Sequence, residues 1–122
     1  MKLKDGNGMT KNKDKYPLRG EIYWIELDPT LGIEIKKTRP CLILSINAYN
    51  KKMPRVIIFP ITSQIQNIYP FQIHVEVNGK EGKVMTDQVR CVDKRRIKER
   101  SGALTSVKIQ EVEESIKLCL GI

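Results

Sequence analysis

Apolar and polar residues exchange in short runs along this 122-residue chain, and only its last stretch changes to a helical period. Gly20–Leu27, GEIYWIEL, alternates: Ile22, Trp24 and Glu26 fall on one face and Tyr23, Ile25 and Leu27 on the other, which predicts a strand. DPTLG follows as turn chemistry, then a loop through Thr38 with no apolar period. Cys41–Ile46, CLILSI, reads as a buried strand and NAYNKKMP, Asn47–Pro54, as a turn-rich loop. Arg55–Thr62, RVIIFPIT, is a third apolar run, in which Pro60 argues for a strand edge, end or bulge. Phe71–Val77 alternates with Phe71, Ile73, Val75 and Val77 inward and Gln72, His74 and Glu76 outward, and Asn78-Gly79 signals a hairpin. KVMT and QVRCV read as two short strands around Asp87, and DKRRIKER as a short helical turn or a loop. In Ser106–Leu120 the residues Ile109, Val112, Ile116 and Cys119 form one helical stripe, with Gly121 placed to end it. Short strands followed by one terminal helix give a mainly β fold with α: a small barrel-like sheet with a helix packed on it.

Composition narrows the picture. Residues 1–17 hold five lysines and few apolar groups, so they read as a flexible basic leader ahead of a single domain, 18–122. A net charge of +8 points to a polyanionic partner, nucleic acid or a membrane surface. The three cysteines, Cys41, Cys91 and Cys119, are scattered in apolar runs and read as small buried hydrophobes. With no CxxC pair a zinc site is not expected, and no tight carboxylate cluster marks a magnesium site, so no metal and no cofactor are expected. The polar N-terminus and the lack of a membrane-length apolar stretch suggest a reducing, cytoplasmic setting with no membrane partner.

The inventory of reactive groups is sparse. His74 is the only histidine and lies on the polar face of an alternating strand, so it reads as a solvated side chain rather than half of an acid–base pair. Catalysis would then fall to arginine, hydroxyls, carboxylates and backbone groups. RNA cleavage fits that kit, because RNA carries its own nucleophile, the 2′-OH. Arginine presents a planar fork to two phosphate oxygens and a threonine hydroxyl can take a third. Arg39 enters one apolar strand and Thr62 leaves the next, and in an antiparallel pair those ends lie side by side. Trp24 and Tyr23 are stacking candidates, of which at least one is expected in the core. The run Lys94–Arg100 reads as a solvated face.

Three blocks, RGEIYWIELDPTLGIEIKKTRPCLIL, IFPITSQIQ and MTDQVRCVDKRRI, resemble in order and spacing the MazF/PemK (Kid) family of toxin endoribonucleases from type II toxin–antitoxin systems. The resemblance runs from Leu18 to Gly121. It implies an SH3-like small β-barrel of the CcdB/PemK type with a C-terminal helix, assembled as a homodimer. It also implies metal-independent, sequence-specific cleavage of single-stranded RNA, usually mRNA, leaving a 2′,3′-cyclic phosphate and a 5′-OH. Arg39 of the Arg-Pro pair matches the family's catalytic arginine and Thr62 its catalytic threonine. Glu34 matches the acidic residue of a loop, Gly32–Thr38, that contacts RNA. Gly32, Ile33, Ile35, Lys36, Lys37 and Thr38 are thereby substrate-binding candidates, with Ser63 and Gln64 beside Thr62, and Gln88 of DQVR. The implied partner is a cognate antitoxin laying an acidic, disordered C-terminal segment over the dimer groove.

The loop departs from the family. Where Gly-Ser-Glu-Gln is common, this chain has Gly32-Ile33-Glu34-Ile35, which removes a hydroxyl and an amide that read bases. This bears on the recognition sequence and not on the chemistry. A guanidinium with a pKa above about 12 rarely releases a proton, so Arg39 is better suited to stabilising charge and protonating the leaving oxygen. The base is Glu34, a perturbed arginine or water. Two rival classes stand beside the ribonuclease. A gyrase-type inhibitor of the CcdB kind ends in Trp-Gly-Ile, whereas this chain ends Leu120-Gly121-Ile122 without the tryptophan. A passive RNA-binding module would bind RNA and never cut it.

Overall fold

The computed structural model describes residues 16–27, 37–67 and 69–122. In chain order these form β1 (Glu21–Leu27), β2 (Lys37–Ile43), α1 (Asn47–Lys52), β3 (Arg55–Thr62), β4 (Ile73–Val77), β5 (Lys80–Val84), β6 (Arg90–Asp93), a 3-10 turn (Lys94–Arg96), β7 (Ile97–Ala103) and α2 (Ser106–Leu120). All the pairings are antiparallel, in the order β4-β5-β3-β2-β1-β7 with β6 also on β3. The mainly β architecture with a C-terminal helix is the one expected.

Alternation sends apolar side chains to both faces of the curled sheet. Tyr23, Ile25 and Leu27 join Cys41, Ile43, Val56, Ile58 and Val92 in one cluster. Ile22 instead joins Leu42, Phe59, Ile61, Val75 and Val84 in a second, closed by Val112 of α2 with Ile116 beside it. The helix keeps its predicted limits: the Thr105 side chain accepts from Lys108 N–H at one end, and Gly121 in the left-handed region ends the other. Asn78 and Gly79, with φ of 53° and 79°, make the β4–β5 turn, as a two-residue hairpin requires.

β3 organises the rest. Arg55–Ile58 pairs with β6, Ile61 and Thr62 pair with β5, and Pro60, which has no N–H to give, falls where one neighbour hands over to the other. Its carbonyl accepts from Met85 N–H at 2.9 Å.

Several sequence expectations are corrected. The second strand starts at Lys37 and ends at Ile43, so Thr38 and Arg39 lie within it rather than before it. Asn47–Lys52 is a short helix, not a loop: buried Asn50 donates to the carbonyls of Pro17 and Ser45 and holds that turn against the sheet. Phe71 precedes β4 and is exposed. The charge run contains the predicted helical turn, but from Ile97 it becomes β7, laid along β1. The carboxylate of buried Glu21 receives Arg100 Nε at 2.9 Å, the Tyr23 hydroxyl at 2.9 Å and Leu18 N–H at 2.8 Å, which ties β1 to β7. Of the cysteines only Cys41 is buried; Cys91 and Cys119 are exposed.

Candidate active site

Arg39 and Thr62 come from neighbouring strands. The β2–β3 register runs Ile43↔Ile58, Leu42↔Phe59, Cys41↔Pro60. Extrapolated two residues past its last pair, that register puts Arg39 opposite Thr62. Both line an open cleft of about 640 Å³, with Ser63, Gln64 and Gln88. The cleft is cationic: Arg39, Lys83 and Arg90 border it, and no carboxylate does among its described lining residues. A second cleft, of about 590 Å³, shares Arg39, Thr62 and Ser63 with the first. Thr38 borders this one, as does Trp24, 39% exposed, while Tyr23 is packed in the core.

Local geometry aims these groups. Thr62 is 9% exposed, and its Oγ1 accepts from Gln64 N–H at 3.2 Å. With one lone pair so engaged, the hydroxyl proton is directed to another acceptor. Behind the cations sits Cys41. Its thiol is pushed up to about 12, first by burial, with the charges of Arg90 and Arg39 opposing the rise. At neutral pH it is a protonated packing group and no nucleophile.

The far wall is formed by Gln72, Met85 and Gln88, and two hydroxyls of the interior fix it. The Phe71 carbonyl accepts from Ser115 of α2 at 2.6 Å and from Thr86, and those two hydroxyls lie 3.2 Å apart. The helix thus anchors both segments that carry the wall.

The structure therefore brings Arg39, Thr62, Ser63, Gln64 and Gln88 together, with Thr38 at the adjoining cleft. Gly32, Ile33, Glu34, Ile35 and Lys36 lie outside the described residues, as does the leader up to residue 15, and of Lys37 only the backbone is described. His74 stands on the outer face with Nε2 3.5 Å from Glu81 Oε1. Lys83 escaped the sequence reading. Its strand was legible, but only the pairing of β5 with β3 brings it beside Thr62.

Comparison with known proteins gives one consistent answer. Residues 18–120 match the family model described as PemK-like, MazF-like toxin of type II toxin–antitoxin system. Among solved structures, MazF from Deinococcus radiodurans is 30% identical, with a TM-score of 0.75 over 88% of this chain and 98% of that one. A MazE–MazF complex from the same organism is 29% identical, with a TM-score of 0.74 over 88% and 98%. An endoribonuclease from a mycobacterial species in complex with its cognate antitoxin is 23% identical, with a TM-score of 0.72 over 87% and 96%, and shares the fold.

Proposed function

The chain belongs to the family of PemK-like, MazF-like toxins of type II toxin–antitoxin systems, and from that premise we propose that it is an endoribonuclease that cuts single-stranded RNA, chiefly mRNA, at a specific sequence. The observation that carries the reading is the meeting of Arg39 and Thr62 at one cationic cleft. The solved relative at 30% identity is itself a MazF.

In the proposed reaction the substrate's 2′-OH attacks the adjoining phosphorus. The bond to the 5′ oxygen breaks, leaving a 2′,3′-cyclic phosphate and a 5′-OH. Arg39 holds two phosphate oxygens and neutralises the charge that builds on them, and it is suited to protonating the departing 5′ oxygen. Thr62, its oxygen already accepting from Gln64 N–H, donates to a third. The base that takes the 2′-OH proton is Glu34, an arginine or water. No metal is needed, since RNA supplies the nucleophile and the protein supplies the charge. The segment Gly32–Thr38, with Ser63, Gln64 and Gln88, contacts the RNA, and Ile33 and Ile35 leave it without the hydroxyl and amide that read bases in the family. Trp24 offers an exposed ring for stacking.

The same cleft suits the regulator. An acidic antitoxin segment laid over Arg39, Lys83 and Arg90 would exclude RNA by occupying the same charges; MazE–MazF complexes from Deinococcus radiodurans are among the similar solved structures. The working unit is a homodimer in the cytoplasm, which sedimentation at micromolar concentration tests: a strict monomer would remove the shared RNA groove. No described helix is long and apolar enough to cross a membrane.

The decisive experiment incubates the protein with a long unstructured RNA in EDTA, beside Arg39→Ala, and maps the new ends. Discrete cuts bearing cyclic phosphate and absent with the variant are expected. Cuts that depend on added magnesium would overturn the mechanism, and a well-folded protein that never cuts would overturn the activity.

A further inference from the structure

One charge on the cleft wall has no part in the chemistry above. Lys83 is fixed by two ladders, Thr62↔Lys83 to β3 and His74↔Lys83 to β4. Residues directly opposed in antiparallel strands share a face, with Cβ atoms about 5 Å apart. Thr62, Lys83 and His74 therefore form a row that starts at the cleft and crosses three strands. Lys83 is only 7% exposed. Its Nζ donates to the Asn67 carbonyl at 2.7 Å and lies 5.6 Å from the centre of the Tyr69 ring.

A carbonyl and an aromatic face hold an ammonium in position without neutralising it. No carboxylate of the described residues pairs with Lys83. Glu81, two residues back on the same face, meets His74 instead. The other deeply buried charge among the described residues is handled differently, since Glu21 is answered by the Arg100 guanidinium and two further donors. A buried charge without a counter-ion is costly, and here it sits beside Arg39 and Thr62 on the wall of the cleft. An ammonium also has three donors, of which the Asn67 carbonyl takes one.

We propose that Lys83 is a substrate-binding residue whose ammonium holds an RNA backbone phosphate flanking the one engaged by Arg39 and Thr62. The identity of the anion rests on the ribonuclease reading. Lys83 is held at Asn67 and Tyr69 on β5, with β3 between it and β2, so the phosphate it meets is a neighbour of the scissile one. As a point charge it adds affinity without reading a base. Asn67 and Tyr69 act as its brace, and Tyr69 exchanges hydrogen bonds with Gln72 of the cleft wall, so the wall and the placement of the charge depend on each other.

The test is a salt titration of binding in the Arg39→Ala background with the same long unstructured RNA, where slowed cleavage leaves the RNA whole for the length of the measurement. Each phosphate neutralised on a single strand contributes about 0.7 to the slope of log K against log salt. Lys83→Gln is expected to lower that slope by about 0.7 and weaken binding, while Lys83→Arg keeps it. Lys83→Met, which preserves the packing of the stem, serves as a second neutral variant with thermal melts run alongside. An unchanged slope in the folded neutral variants overturns the proposal and leaves Lys83 as a brace alone. The ribonuclease reading fails separately. If the wild type never cuts but the slope still depends on Lys83, the cleavage chemistry falls and the phosphate contact stands. If the wild type cuts and the slope is indifferent to Lys83, the reverse holds.

Discussion

Arg39 stands half-buried near the start of β2, with Ile25 opposite it on β1 and Thr62 of β3 lining the same cleft. Its guanidinium is therefore carried by a paired strand. On the proposed mechanism, truncating it removes the charge aimed at the phosphorane while the backbone pairing of β2 stays. Arg39→Ala is expected to lose about 100-fold to 1,000-fold in cleavage rate, with a melting temperature close to the wild type's; activity within a few-fold of wild type would remove it from the site. Thr62→Ser keeps the donor and should retain most of the rate, whereas Thr62→Val should not. Two residues along from Arg39, Cys41 has no exposure and a thiol pushed up to about 12. An alkylating reagent at pH 8 should therefore modify Cys91 and Cys119 in the native protein and reach Cys41 only after unfolding. Mass spectrometry of the peptides counts the sites, and early modification of Cys41 would contradict its placement.

At the scale of elements, the site depends on the short join between β3 and β5, only Ile61↔Val84 and Thr62↔Lys83. Gly82 lies against that join. A Cβ there would sit 2.9 Å from the Thr62 carbonyl oxygen and 3.1 Å from Ile61 Cγ2, so the two strands would have to part. Gly82→Ala should cost about 1–3 kcal/mol of stability and lower kcat by shifting Thr62. Thermal melts and single-turnover rates decide it, and a variant unchanged in both would mean that the join is slack. The sequence made β1, β3 and α2 legible because their apolar period reaches the core directly. It hid β7, whose Ile97–Ala103 is polar and becomes a strand through its pairing with β1 and the Glu21–Arg100 ion pair, 79 residues apart in the chain. It hid α1 likewise, because a six-residue helix is held by the bonds of Asn50 and not by propensity. Arg39 and Thr62 could be picked out because each marks the end of a legible apolar run. Lys83 could not, since its neighbours are set by tertiary pairing.

At the scale of the whole molecule, a few perturbed titrating groups set the pH range of the fold. On the acid side, hydrogen bonds from Arg95 hold Asp93 down to about 2. Its small, solvent-screened contribution is present above the usual carboxylate range and fades as pH falls toward 2. The alkaline side matters more, because the groups involved are interior. Cys41 is raised by burial to about 12, and the Tyr23 phenol is raised above its ordinary value of 10, by burial first and then by the Glu21 carboxylate beside it. Between pH 9 and 12 the unfolded chain gives up protons that the native chain keeps. The unfolded state then binds fewer protons, so stability must fall as pH rises. Melting temperatures should be level from pH 7 to 8.5 and decline beyond pH 9, with Tyr23 steepening the decline above pH 10. Cys41→Ala begins less stable because of the cavity it leaves, but it lacks the thiol's titration, so its deficit relative to wild type should narrow as pH rises from 8 to 10. A deficit that stays constant across that range would show that Cys41 ionises as readily in the native protein as in the unfolded chain. The thiol would then lie open to solvent, and the cluster behind Arg39 would not be the sealed floor on which the site is built.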